Sequence, residues 1–574
     1  MRPGTLALRC VNQYRTRDIV TYLGLRYYLQ AACARPDPWS RDVAVDIAAH
    51  RKSPVYHRSS FYKETTPNGK LEYRELYTPN PNDALAETAL LGECARLGGP
   101  FAARDSVFSY RLATGAERRG VFEPYFIGYR ARHEAIAQAC REVPNAVIIY
   151  RDLRRFYPSI TQEQAAKAWE ESASAVNLNR PLARLGTEFI RHYGQLPGDH
   201  RSVVTGPMFS HLIGNLVLAE LDEEMQRRFP NRYFRYVDDL VVAVKSDEAN
   251  SAAQVLEEAV ARLRFTLHSE KQFDVPASEW FDMEDGFANK TRPRSWASFI
   301  GRMRTLLILA PEYRAELEGR LADAGLRIVP FDYASAARER DYQASLFERL
   351  KQRWFRRKLR QISPATIVAE GLALRPIMLR EFEAACDQLD GAAGFRRKRS
   401  LQRLRFACSR LIYLASSGDL RRIREALAKV PEAKEFEALF RALESRDVGP
   451  MLPYGARIAQ AAAQPLKAIR ETITCAHVNK DWAAASVEAL AVLLMNGVDL
   501  NLGRASPPPD VPILGFVRAA SHCKSDGPTS GEYFRELSDL HGRAMPTRHA
   551  AMLATAFDVD ESMVFDSELL RTYS

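Results

Sequence analysis

Apolar and polar positions follow two rhythms along this chain, mixed before about residue 310 and helical after it. Val147-Ile148-Ile149-Tyr150-Arg151-Asp152 is a β-branched and aromatic run that predicts a strand ending on an aspartate. Tyr233-Phe234-Arg235-Tyr236 and Leu240-Val241-Val242-Ala243-Val244 predict a hairpin with Asp238-Asp239 at its tip. Like charges repel and Asp has low β propensity, so an ordinary hairpin would carry Asn-Gly or Asp-Gly there. Around these runs the pattern predicts a helix capped by Thr161, a Gly-Pro turn leading into a long helix over 202–225, and a helix over 250–263. Strands are expected at 107–112, 265–267 and 296–309, and an extended entry into a helix over 122–141. Residues 1–100 read as helix and loop: a helix over 14–34, a turn-rich stretch over 53–82 around Thr66-Pro67-Asn68-Gly69-Lys70, and a helix over 84–97.

Beyond residue 311 helix follows helix: 313–324, 335–360, 365–389, 400–416, 419–430, 435–446, 458–473 and 482–495, mostly separated by Gly, Pro or Asp. The lengths suggest paired helices stacked as an irregular HEAT-like solenoid. Ser506-Pro507-Pro508-Pro509-Asp510 reads as a stiff linker before a helical cap.

Two readings of the Asp-Asp turn stand side by side, a solvated acidic turn and a metal site. Hard divalent cations take carboxylate oxygen, and Mg²⁺ needs only one or two carboxylates plus substrate phosphates. Asp152 at a strand end, brought beside Asp238 and Asp239, would clamp two metal ions of the kind that activate a 3′-hydroxyl and stabilise a leaving pyrophosphate. Three such carboxylates left unpaired would raise one another's pKa, so bound cations should keep them ionised.

The order and neighbours of these residues resemble those of reverse transcriptases. Asp152 resembles the motif A aspartate and Tyr236-Val237-Asp238-Asp239 resembles motif C. Gly206-Pro207-Met208-Phe209-Ser210 with Asn215 resembles motif B, His268-Ser269-Glu270-Lys271 motif D, and Phe299-Ile300-Gly301 motif E, the primer grip. The resemblance spans about residues 108–301, and the Phe156-Tyr157-Pro158-Ser159-Ile160 run with the long helical tail looks closest to the abortive-infection and related defence-associated reverse transcriptases of bacteria. It implies an α+β right-hand polymerase: an N-terminal helical extension and fingers over 1–145, a palm with an antiparallel sheet and primer grip over 146–310, and an all-α HEAT-like domain over 311–574. It further implies a DNA polymerase of reverse transcriptase type acting in antiphage defence.

In that scheme Asp152, Asp238 and Asp239 hold two Mg²⁺ ions, with Mn²⁺ as the alternative, and Lys271 protonates the leaving pyrophosphate. Arg111, Phe156, Tyr157, Gly206, Ser210 and Asn215 bind the nucleotide, with Tyr157 as the gate against a 2′-hydroxyl. Phe299 and Gly301 grip the primer. Motif B here reads Val203-Val204-Thr205-Gly206, where template-copying relatives usually have Leu-Pro-Gln-Gly. The missing proline and glutamine point to synthesis that needs no conventional template and starts on a protein hydroxyl, leaving DNA attached to the chain. Tyr14, Tyr56 and Tyr62 are candidates for that hydroxyl, with the priming residue left open. The competing readings are a template-copying enzyme of retron or maturase type, in which an RNA template is a partner, and a catalytically silent nucleic-acid-binding scaffold.

Charge adds a partner. Lys and Arg number 81 against 71 Asp and Glu, a net +10 with a pI near 9.1, which fits a polyanion. Two tail segments concentrate that charge among aromatics: Lys351, Arg353, Arg356 and Arg357 around Trp354, and Arg396, Arg397, Lys398 and Arg399 after Phe395. Such stretches follow phosphates and stack bases, so they are candidate nucleic-acid contacts; a solvated helix face is the alternative. The eight cysteines form no Cys-x-x-Cys pair, which argues against zinc sites and a disulfide framework. No signal-peptide core follows Met1 and no run reaches about 18 apolar residues, so a cytoplasmic protein without membrane contact is expected, as a homo-oligomer by resemblance.

Overall fold

The computed structural model describes residues 9–10, 13, 55–66, 68–114, 120–123, 125–282, 296–330, 362–469, 471–476, 482–503 and 512–521. The helices expected over 14–34 and 335–360, the basic residues Lys351, Arg353, Arg356 and Arg357, Tyr14, and the Pro-rich linker lie outside them. The chain is α+β, with small sheets, the larger of them antiparallel, among many helices.

Chain order begins with a hairpin, β1 (Tyr56–Thr65) and β2 (Leu71–Pro79), where loop was expected. Gly and Asn are confined to its turn, where Gly69 N–H bonds to Thr66 O at 2.8 Å, and the flanking residues are free to pair. Helix α1 (Pro81–Leu97) starts on an Asn80 cap and α2 (Tyr125–Glu142) follows. Strand β3 (Ala146–Asp152) leads to α3 (Gln162–Ala175), which opens on a capping box between Thr161 and Gln164, and to α4 (Arg180–Tyr193). Helices α5 (Met208–Val217) and α6 (Ala219–Arg228) precede the hairpin β4 (Tyr233–Tyr236) and β5 (Asp239–Lys245). Helix α7 (Ala249–Arg262), strand β6 (Phe273–Pro276) and α8 (Ala277–Asp282) complete this part.

The central sheet runs β4-β5-β3-β6, antiparallel throughout. Its strands are apolar on both faces because both are covered. Ile149, Leu240, Val242 and Val244 belong to a core shared with Phe209 and Leu212 of α5 and Leu256 of α7. Ile148, Tyr150, Val241 and Ala243 belong to a second core with Ile136 of α2 and Trp280 of α8.

Three expected strands have other structures. Residues 107–112 form isolated bridges, Val107 with Arg235 and Leu112 with Phe122, because Tyr110 takes a left-handed φ of 49°. Residues 265–267 contribute one bridge, Leu267 with Leu153. Residues 296–309 are a helix, α9 (Trp296–Leu309): its buried Phe299, Met303, Leu306 and Leu307 recur at i, i+4, i+7 and i+8, a helical period.

The remaining described elements are α10 (Arg314–Asp323), α11 (Pro364–Leu389), α12 (Gly394–Leu414), α13 (Ser417–Leu427), α14 (Lys434–Ser445), α15 (Gly455–Ala468), α16 (Ala484–Met495) and α17 (Pro512–Ser521), with a two-residue parallel pair at 473–474 and 500–501. They share one large apolar core, with α11 packed on α12 and α15 on α16. The β1–β2 hairpin lies against α15 and α16. Ser60 N–H donates to Glu488 at 3.3 Å, the Tyr73 hydroxyl donates to Pro453 O at 2.8 Å, and Arg457 sits over the Phe61 ring. At its other end Tyr77 N–H donates to Thr205 O at 2.8 Å, so the hairpin joins the helical region to the central one. The described cysteines Cys10, Cys94, Cys386, Cys408 and Cys475 are free thiols. Among the described residues no helix is long and apolar enough to cross a membrane.

Candidate active site

The β4–β5 turn is built on a residue that resists it. Val237 has φ +57°, a left-handed conformation costly for a β-branched side chain. Two bonds hold it there: its N–H donates to Ser109 Oγ at 2.6 Å, and Arg235 Nη1 donates to its carbonyl at 3.0 Å. Arg235 is fully buried and is itself fixed by Asp222, with bonds of 2.8 and 2.7 Å, and by Asn215 Oδ1 at 3.1 Å. Asn215 donates in turn to the carbonyls of Ser109 and Tyr110 at 3.3 and 3.4 Å. A buried polar network from α5, α6, β4 and the 106–113 loop thus fixes the tip.

The tip delivers the aspartates. Asp152 ends β3 directly opposite Asp239 in register, and Leu153 N–H donates to Asp238 O at 3.0 Å, drawing the turn alongside β3. Asp152 and Asp239 are buried and Asp238 is half-buried. Asp152 Oδ2 lies 3.4 Å from Lys271 Nζ. Asp239 accepts from the Tyr150 hydroxyl, and Arg132 Nη1 lies 3.7 Å from its other oxygen. Burial, then the Asp239 charge, pushes the Asp152 carboxyl up to about 6, with Lys271 and Lys398 pulling the other way. Burial, then Asp152 and Asp239, pushes Asp238 up to about 8 against the pull of Arg74 and Lys271.

These carboxyls fit a divalent cation. Asp239 is already engaged by Tyr150 and Arg132, whereas the ionised forms of Asp152 and Asp238 are left short of neutralising partners, which a cation would supply. Among the described residues no group of three or more His, Cys, Asp or Glu is arranged to hold a metal ion. A pair of carboxylates is nevertheless enough for Mg²⁺ when substrate phosphates supply further oxygens.

The other expected residues divide. Tyr157 is buried, sharing a 2.5 Å hydrogen bond with His211 Nδ1, and the rings of Phe156 and Tyr157 both line Gly214. Phe156 packs on Phe265 in the core. Gly206, at φ +125° in the turn before α5, lies against β2, where a Cβ would stand 2.2 Å from Tyr77 O. Ser210 is fully buried beside Tyr193, in the first turn of α5. Arg111 bonds to Arg104 O at 3.3 Å and lies over Phe108. Phe299 is buried against α11, beside Gly371, and Gly301 is exposed on α9, where a Cβ would meet nothing within 4 Å. The strand geometry behind the primer-grip expectation is therefore absent at these residues. Tyr56 and Tyr62 are engaged too, Tyr56 with Glu87 at 3.0 Å and Tyr62 with Thr65 at 2.8 Å.

The second basic cluster makes contacts within the protein, with Arg396 still exposed. Arg396 pairs with Glu279 at 2.8 Å, Arg397 with Glu432 at 2.6 Å, and Arg399 is buried over Trp280 and Phe395. Lys398 donates to the Tyr150 hydroxyl at 2.9 Å. Burial lowers this lysine to about 8. Sequence reading missed Tyr150, Arg132, Arg74 and Asp222. Tyr150 was within reach, because it lies two residues before Asp152 on one strand and so shares its face. The others depend on which helix covers which strand, which no local pattern states.

No protein-family model matches the chain, and no curated protein is significantly similar to it.

Proposed function

We propose that this chain is a DNA polymerase of the reverse transcriptase type, joining deoxynucleotides at the Asp152–Asp238–Asp239 cluster. The observation that carries the reading is the meeting of Asp152 with a hairpin tip 86 residues away, in the register β3–β5, so that the two expected aspartate motifs form one anionic edge. Asp152 and Asp238 would hold the magnesium ions, which supply activation of the attacking hydroxyl and stabilisation of the leaving pyrophosphate. Asp239 serves as an anchored neighbour whose charge adds to the field. Lys271, 3.4 Å from Asp152, would give a proton to the departing pyrophosphate. Tyr157, with its hydroxyl fixed by His211, is the ring on which a ribose would rest and a 2′-hydroxyl would find no room.

Val203-Val204-Thr205 in place of the usual Leu-Pro-Gln favours untemplated, protein-primed synthesis, and the resemblance to abortive-infection enzymes favours a role in antiphage defence, with the helical region as a HEAT-like domain. The test is incubation of purified protein with each labelled dNTP and Mg²⁺, with and without primer–template. Label on denatured protein without added nucleic acid is the expected result. Asp152→Asn and Asp238→Asn should lose incorporation by at least about a hundredfold while remaining folded, as loss of a metal ligand at a strand end requires. Incorporation at wild-type rates by either variant would overturn the site; product made only on a supplied template would favour the template-copying alternative.

A further inference from the structure

Helix α12 reaches across from the helical region and ends its first turn at the candidate active site. Phe395, Lys398 and Arg399 are spaced i, i+3 and i+4, which puts them on one face. That face is docked: Phe395 stacks on Trp280 of α8 with ring centres 5.0 Å apart and touches Phe273 of β6, and the Arg399 guanidinium lies 5.3 Å from the Trp280 ring centre. Arg396 adds the ion pair to Glu279 on the same helix. Between these anchors Lys398 extends over the Tyr150 ring, 4.5 Å from its centre, and donates to the Tyr150 hydroxyl. That hydroxyl has one proton, and it donates it to Asp239. The bonds therefore run in one direction, from ammonium to phenol to carboxylate, and each strengthens the next.

We propose that Lys398 is a positioning residue: through Tyr150 it fixes the Asp239 carboxylate beside the hairpin tip, so that the aspartate edge is fully ordered only when the helical region is seated on the sheet. The inference rests on the polymerase reading for its kinetic consequence but not for its structural one. Tyr150 has Asp239 as its acceptor and Lys398 as its donor; Arg132 alone would leave the carboxylate with one fixed oxygen. The arrangement makes the C-terminal helices part of the site although none of their residues need touch a nucleotide.

The test uses the full chain with Lys398→Met, Tyr150→Phe and the double variant, each first shown to be folded by its thermal transition. Both single variants should lower kcat for dNTP incorporation roughly tenfold or more, the scale of a lost charge-assisted hydrogen bond, with KM for the nucleotide within about twofold. The double variant should be no slower than the worse single one. Amide exchange, which needs no activity, should quicken in peptides covering 150–154 and 236–241 in all three variants and stay unchanged over α7. Exchange at the tip equal to wild type in Lys398→Met, or kinetic losses that multiply in the double variant, would overturn the inference. A rise in KM with kcat intact would also overturn it, since that marks direct contact with the nucleotide. If wild-type protein incorporates no nucleotide, the polymerase reading falls and the exchange measurement alone decides the relay.

Discussion

Asp152 and Asp238 keep their protons in the folded chain at pH values where the unfolded chain has already lost them. An ordinary aspartate titrates near 3.8, whereas these titrate at about 6 and about 8. Between those limits the folded state binds more protons than the unfolded one, so stability falls as pH rises through the window. The metal-free protein should therefore lose Tm between about pH 4 and pH 8, and Mg²⁺ or Mn²⁺ should restore more of it at the upper end than at the lower. Asp238→Asn, which cannot ionise, should flatten the upper part of that fall and shrink the metal effect. A thermal scan of wild type against this variant, with and without cation, checks it, and parallel curves would remove Asp238 from the metal site. Tyr157 gives the other prediction at this scale. If Tyr157 is the sugar gate of the proposed polymerase, Tyr157→Ala should incorporate ribonucleotides more readily relative to deoxynucleotides, by about tenfold or more. An unchanged ratio in an active variant would assign the gate elsewhere, with Phe156 as the neighbouring ring.

The β4–β5 hairpin depends on a pair that a reader of the sequence passes over. Arg235 and Asp222 are both fully buried, and Arg235 holds both Asn215 and the Val237 carbonyl. Asp222→Ala leaves that guanidinium uncompensated and should destabilise the protein by about 3–5 kcal/mol, measurable by denaturant unfolding; a loss below about 1 kcal/mol would show the tip to be held by other means. The hairpin itself is legible, because β-branched runs around two aspartates leave few alternatives. So is the α3 cap at Thr161. Residues 296–309 are not: Phe299-Ile300-Gly301 suggests a strand locally, while the spacing of Phe299, Met303, Leu306 and Leu307 states a helix only over the longer window. The docking of the basic run after Phe395 is hidden for a related reason. Its charge is what composition reports, but its i, i+3, i+4 spacing and its acidic and aromatic partners on α8 and β3 decide that it docks.

At the scale of the molecule, the two regions are tied at separate places: α12 to the sheet through Lys398 and Phe395, and the β1–β2 hairpin to α15 and α16 through Ser60, Tyr73 and Phe61. The second tie spans 428 residues of sequence, from Ser60 to Glu488. A ribosome adding about 5–20 residues per second needs roughly 20–90 s to cover that distance. Throughout that interval the hairpin has emerged without its seat, and for most of it Tyr150 also lacks Lys398. The growing chain therefore exposes an unseated strand pair, and its carboxylate edge lacks the Lys398 contact until α12 is made. If the polymerase reading holds, a nascent copy works below the full rate of nucleotide chemistry until α12 has been made and has docked.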